Sequence, residues 1–246
     1  MPEPIRLVRS LLLVAACAVA PAIAFAADDC PAGRDPQLAD APKPLNIDKV
    51  KDILRDYQKT HYDGDLAAVA GDARAWVEKR AHDAKNPALV LDIDETSLSN
   101  WPNLSADDFG FIANGPCHLP PQQGTACGFD AWVRTGTATA IKPTLELYNA
   151  AKAAGVSVFF ISSRKEHDRW ITAHNLERVG YSGWRGLVLR TNDDKRSVDD
   201  YKSSERAKIE TKGYTIIANM GDQDSDLANG HAECGFKLPN PFYFIP

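Results

Sequence analysis

Two carboxylates, Asp92 and Asp94, close an apolar, β-rich run over residues 88–93. In an extended chain the side chains at i and i+2 leave the same face. If the run is a buried parallel strand, the pair stands at its carboxyl end, where open α/β sheets hold their ligands. Asp-x-Asp alone occurs in many solvated loops. Its weight here comes from three further clusters: Ser162-Ser163-Arg164, Lys202 in Tyr201-Lys202-Ser203-Ser204, and Gly221-Asp222 followed by Asp224 and Asp226.

Placing these groups together requires strands that stop where the clusters begin. The run over residues 156–161 ends on Ser162, and the run over residues 214–219 leads into Gly221-Asp222. Each apolar run precedes a helix-like pattern, which is the βαβ signature of a parallel sheet flanked by helices. Asp92, Asp94, Ser162, Lys202 and Asp222 then converge on one edge of an α/β fold. Ile47, Val50, Ile53, Leu54 and Tyr57 mark one amphipathic helix, and Leu66, Val69, Ala73, Trp76 and Val77 a second. Both are expected to pack on the sheet.

The ordered set resembles the haloacid dehalogenase (HAD) superfamily of phosphohydrolases. Asp92-x-Asp94-Glu95-Thr96 matches its first motif, the strand closing on Ser162 its second, Lys202 its third, and Gly221-Asp222-x-x-x-Asp226 its fourth. Asp-Ile-Asp-Glu-Thr, the Ser-Ser-Arg turn and Gly-Asp-Gln-x-Ser-Asp look like the acid phosphatase branch, the class B and C bacterial enzymes and their plant acid phosphatase and vegetative storage protein relatives. The likeness covers about residues 45–246. Lys195 and Lys208 compete with Lys202 for the third motif, and the position of Lys202 just before a helix favours it. The resemblance implies a Rossmann-like HAD fold with a small cap inserted after the first motif, over about residues 99–141.

It also implies a chemistry that these residue types suit. A phosphomonoester dianion repels an anionic attacker, so positive charge must be in place first. Magnesium, a hard cation that prefers oxygen, is the implied cofactor, with the Asp92 and Asp222 carboxylates and the Asp94 main-chain carbonyl as ligands. Asp92 is the implied nucleophile, forming an aspartyl-phosphate. Asp94 is the implied general acid and base, protonating the leaving alkoxide and later deprotonating water, which suits an acidic optimum. Ser162 and Lys202 bind the phosphoryl oxygens, with Ser163 and Arg164 beside them as substrate contacts, Arg164 alternatively pairing with an acidic neighbour, and Asp226 orients Lys202 or a metal-bound water. Asp224 reads as solvated. His167, His174 and His231 have no part in this chemistry.

Residues 1–26 read as a secretory signal peptide, with Arg6 and Arg9 ahead of an apolar stretch that ends at Ala24-Phe25-Ala26. The expected location is periplasmic or secreted. Lipid anchoring through Cys17 is the alternative, disfavoured because the sequence stays apolar from residue 18 to residue 26. Residues 27–46 suggest an extended arm before a domain over residues 47–246. Of five cysteines, Cys17 lies in the leader. Cys117 and Cys127 suggest one disulfide in an oxidising compartment, leaving Cys30 and Cys234 for another.

The formal net charge of −5 argues against a nucleic acid polymer or an anionic membrane as partner. Beyond the leader no apolar run reaches the length of a transmembrane span. Trp101, Phe109, Phe111, Phe129 and Trp132 in the expected cap form either its own small core or a platform for the leaving group, the core being the favoured reading. The expected function is a magnesium-dependent acid phosphatase acting on small phosphomonoesters, 5′-nucleotides among them. A phosphotransferase shares that chemistry, and a storage or binding protein on the same fold is the non-catalytic alternative. Asp92 and Asp94 are both present, which argues for catalysis, and Asp94 argues against a dehalogenase.

Overall fold

The computed structural model describes residues 44–113 and 128–245. The expected signal peptide, nearly all of the arm, and Cys17, Cys30, Cys117 and Cys127 lie outside the described residues. Within them the order is α1 (Ile47–Thr60), α2 (Tyr62–Arg80), β1 (Pro87–Leu91), β2 (Leu98–Ser99), α3 (Trp101–Ala106), α4 (Phe129–Thr135), β3 (Thr139–Ala140), α5 (Lys142–Ala153), β4 (Ser157–Lys165), α6 (Arg169–Arg178), β5 (Gly186–Arg190), α7 (Val198–Thr211), β6 (Thr215–Gly221), α8 (Asp224–Leu227) and β7 (Gly235–Lys237).

The α/β expectation holds. Five strands form one sheet in the order β5-β4-β1-β6-β7, every neighbouring pair parallel. Alternation sorts the side chains onto two faces. Ala88, Val90, Phe159 and Ile161 meet Tyr201 and Ile209 of α7 on one face. Leu89, Leu91, Val158 and Phe160 meet Leu66, Ala73 and Val77 of α2, with Leu147 and Tyr148 of α5, on the other. The chain leaves β1 toward β4 on one side and returns through β6 on the other. The carboxyl end of β1 is therefore the topological switch point, where a crevice opens.

The second amphipathic helix packs on the sheet, and the Trp76 indole donates to the Ile217 carbonyl at 2.7 Å. The first behaves differently. Helix α1 starts cleanly, the Asn46 side chain accepting from the Asp48 and Lys49 amides. It has no buried residue, however, and Ile47 and Ile53 are exposed. Only Leu54 and Tyr57 reach the core, so α1 lies beside α2 at the margin rather than on the sheet.

Between β1 and β4 the chain builds a separate layer. Strands β2 and β3 pair antiparallel, with α3 and α4 between them in sequence. Glu95 makes the entry possible by adopting φ 51 immediately after Asp94, a costly conformation for a side chain other than glycine. Two bonds hold it there: the Glu95 amide donates to the Leu98 carbonyl at 2.9 Å, and the Leu98 amide to the Ile93 carbonyl at 2.7 Å.

Candidate active site

Asp92 follows β1 directly, and its amide donates to the Met220 carbonyl of β6 at 3.0 Å. Its carboxylate is buried and meets the Lys202 ammonium at 2.5 Å. Lys202, in the first turns of α7, also donates to Asp226 Oδ1. Lys208 pairs with Glu205 on the exposed side of the same helix and Lys195 is exposed, so neither reaches the site. Burial alone would lower the Lys202 ammonium, but Asp226 and Asp92 outweigh it and hold it protonated above its ordinary range.

Asp222 ends the turn after β6. Its Oδ1 accepts from the Thr96 hydroxyl at 3.1 Å, and its Oδ2 from Gln223 Nε2 and Asn240 Nδ2, each at 2.7 Å. Asp226 is engaged on both oxygens, Oδ1 by Lys202 and Oδ2 by the Gln223 amide at 2.9 Å. Gly221 lets Asp226 come this close, because a Cβ there would lie 2.3 Å from the Asp226 side chain.

Carboxylate oxygens of Asp92, Asp222 and Asp226 lie within 4.8 Å of one another, all buried. Burial raises Asp92 well above its ordinary range, with Lys202 pulling the other way and Asp226 and Asp222 adding repulsion. Burial, with Asp226, raises Asp222 to about 6 against the bonds from Asn240 and Gln223. Three buried carboxylates share one lysine, an oxygen-donor set with negative charge in excess. That fits a hard divalent cation.

Ser162 is buried near the end of β4, and its Oγ accepts from the Arg164 amide at 3.1 Å, which leaves its own proton free to donate. Among the described residues the buried Oγ atoms of Ser163 and Ser225 have no hydrogen-bond partner. A small cavity of about 30 Å³ is lined by Asp92, Asp94, Ser162, Lys202 and Asp222 together. Arg164 does not point into it. Its guanidinium clasps Asp94, with Nη2 2.7 Å from Oδ1 and Nε 3.1 Å from both oxygens.

A larger cavity of about 230 Å³ adjoins the first, sharing Asp94, Ser163, Tyr243 and Ile245 with it, and continues along Phe111, Phe129 and Val133. The aromatic residues between β1 and β4 therefore divide. Trp101 and Phe109 join Phe242 in a core cluster, whereas Phe111 and Phe129 line the cavity. Asp224 is exposed, as expected. His167 sits beside Asn192, His174 stacks on Trp170, and His231 pairs with Glu210, all away from the carboxylates.

Several contributors had no sequence signal. Asn240 reaches Asp222 from a Leu-Pro-Asn-Pro turn, and Tyr243 follows it to the junction of the two cavities. Burial and the surrounding carboxylates hold the Tyr243 phenol protonated well above its ordinary range. Glu95, fully buried, accepts from the Tyr62 hydroxyl at 3.0 Å and from the Asn100 amide. Burial raises its carboxyl to about 8. A carboxyl raised in the folded state stabilises the fold below its free value of about 4.5, and that contribution fades as pH rises toward 8. Glu95→Gln mimics the neutral acid. In metal-free protein it is expected to be near neutral at about pH 5 and stabilising by on the order of 2 kcal/mol at about pH 9, measured by calorimetry at both.

Comparison with known proteins settles the affiliation. Residues 42–246 match the family described as HAD superfamily, subfamily IIIB (acid phosphatase). The chain belongs to this family. The subfamily IIIB phosphatase described here is 34% identical over 204 residues to Acid phosphatase 1 of Solanum lycopersicum, covering 82% of this chain and 69% of that one. It is 34% identical over 159 residues to Vegetative storage protein 1 of Arabidopsis thaliana, covering 64% of this chain and 55% of that one. The class C acid phosphatase from Bacillus anthracis has the same fold, with a TM-score of 0.60 at 21% identity over 81% of this chain and 87% of that one. Among the described residues no helix is long and apolar enough to cross a membrane.

Proposed function

We propose that this acid phosphatase is exported and hydrolyses small phosphomonoesters through a phosphoryl group carried on Asp92. The observation that carries the reading is the convergence of Asp92, Asp94, Ser162, Lys202 and Asp222 on one small cavity beside a larger apolar one. Asp92 attacks phosphorus through Oδ2, since Oδ1 is taken by Lys202. Ser162 donates its free proton to one phosphoryl oxygen and Lys202 supports another. Asp94 gives a proton to the departing alkoxide and takes one back from the water that cleaves the aspartyl-phosphate. Asp226 keeps Lys202 in place.

Asp92, Asp222 and the Asp94 carbonyl would hold magnesium, which supplies the charge that lets two anions meet. The leaving group occupies the larger cavity, roofed by the β1–β4 layer acting as a cap, where Phe111, Phe129 and Tyr243 suit a nucleoside or aryl group. Arg164 clasps Asp94 and also borders the larger cavity, on the leaving-group side of the site. A non-catalytic storage role is the weaker reading, because every group the reaction needs is present. An alcohol in place of water would make the same intermediate a phosphotransfer.

The test is hydrolysis of p-nitrophenyl phosphate between about pH 4 and pH 8, with magnesium or EDTA. Turnover that falls at least about 100-fold in EDTA and returns with magnesium is expected. Folded, metal-loaded protein inert toward p-nitrophenyl phosphate, nucleotides and sugar phosphates would leave the storage reading standing.

A further inference from the structure

The Asp94 carboxylate is held from two directions, and its two oxygens are treated unequally. Oδ1 receives Arg164 Nη2 at 2.7 Å, Arg164 Nε at 3.1 Å and Asn100 Nδ2 at 3.0 Å, whereas Oδ2 receives only Arg164 Nε at 3.1 Å. An oxygen already facing three N–H donors has no room for a proton of its own. The exchangeable proton belongs on Oδ2.

Asn100 adds the third donor to Oδ1 and completes an asymmetry that Arg164 begins, and Asn100 itself depends on Trp132. Asn100 is 1% exposed, at the start of α3, and its Oδ1 accepts from Trp132 Nε1 of α4 at 2.8 Å. An indole N–H can only donate. It therefore fixes which end of the Asn100 amide is the oxygen and turns the NH2 end toward Asp94. The Asn100 main chain is anchored separately, its amide donating to Glu95 and its carbonyl accepting from the Asn103 and Leu104 amides at 2.9 and 3.0 Å. Trp132, itself buried, belongs to the layer inserted between β1 and β4.

We propose that Asn100 and Trp132 are positioning residues for the general acid, α4 setting through them the Asp94 orientation that leaves Oδ2 to carry the transferred proton. The inference rests on Asp94 acting as the general acid. It makes the roof of the site part of the proton-transfer machinery rather than a cover alone. An alkoxide needs its proton in the transition state and p-nitrophenolate does not, so a misaligned acid penalises alkyl phosphates selectively.

The experiment compares kcat/KM for glycerol phosphate and p-nitrophenyl phosphate in the magnesium-loaded wild type, Trp132→Phe, Asn100→Ala and Asp94→Asn. Inhibition by inorganic phosphate reports on the phosphoryl pocket. Trp132→Phe stays aromatic but loses the donor together with the pyrrole ring; unchanged phosphate inhibition shows that the pocket survives the smaller side chain, so this variant decides the matter even if Asn100→Ala folds poorly. Both substitutions are expected to lower kcat/KM about 10-fold for glycerol phosphate and less than about 2-fold for p-nitrophenyl phosphate, with phosphate inhibition unchanged. Asp94→Asn should show the same selectivity at about 100-fold or more. Equal losses on both substrates in Trp132→Phe, alongside a selective Asp94→Asn, would overturn the positioning role alone. A non-selective Asp94→Asn would overturn the general-acid assignment and the inference with it.

Discussion

Asp92→Asn is expected to lose at least about 1,000-fold in phosphomonoester turnover and yet to melt above the wild type when divalent metal is withheld. The first effect follows from chemistry, because the amide that replaces the carboxylate is a poor nucleophile toward phosphorus. The second follows from where the carboxylate sits. Asp92 is buried with Asp222 and Asp226, and its carboxyl is raised well above its ordinary range despite Lys202. Its contribution to stability is present below the free aspartate value and is lost as pH rises, so the ionised group burdens the fold at neutral pH. Asparagine keeps the shape without the charge, and Lys202 retains Asp226. A gain of about 2–4 °C in melting temperature at about pH 8 in EDTA, shrinking toward about pH 5, is expected by calorimetry. With magnesium the order should reverse, since only the wild type gains the full stabilisation of a bound cation. A variant that is inactive and also less stable in EDTA would mean that Asp92 serves the fold as well as the chemistry.

The parts of this site that were legible in the sequence share one property: each terminates an apolar run. Asp92, Ser162 and Asp222 stand where the apolar runs of β1, β4 and β6 meet polar residues, and a continuous apolar run with a polar stop is a local signal. Lys202 was favoured as standing just before a helix, whereas it lies inside α7, and only burial separates it from Lys195 and Lys208. Strand β5 was not foreseen because most of its residues are only half-buried, and β7 spans only Gly235–Lys237, too short for a period to show. Arg164 was expected either to pair with an acidic neighbour or to reach substrate, and that the neighbour is Asp94 depends on the path of the chain around Glu95, a turn with φ 51 that composition does not betray. Asn240 and Tyr243 reach the site across long separations, and Asn100, although close to Asp94 in sequence, is oriented by Trp132 far along the chain, so neither spacing nor residue type points at the partner. Helix α1 shows the converse: an apolar stripe at helical spacing is necessary for packing on a sheet but does not choose which surface the helix meets.

Lys202→Met is expected to be the most damaging single change to the fold, costing about 3–5 kcal/mol in metal-free protein at neutral pH. Among the described residues the ammonium is the one cation paired with the Asp92 and Asp226 carboxylates, both buried. Removing it leaves two carboxylates facing each other with Asp222 nearby, and a buried charge stripped of its partner costs more than the pair contributes when intact. The loss is conditional on ionisation. Without the lysine the Asp92 carboxyl rises further, so its unfavourable contribution disappears as pH falls toward the free aspartate value. The deficit measured against wild type by urea unfolding should therefore shrink by at least half between about pH 7.5 and pH 4.5. Adding Asp226→Asn to Lys202→Met should recover part of the stability at neutral pH, giving a coupling energy of about 1–3 kcal/mol in the double-mutant cycle. It should recover no activity, because the phosphoryl oxygen that Lys202 supports still lacks its cation. Additive losses with no pH dependence would mean that Lys202 holds α7 in place by packing its methylene stem, and that the charge balance of the site is set elsewhere.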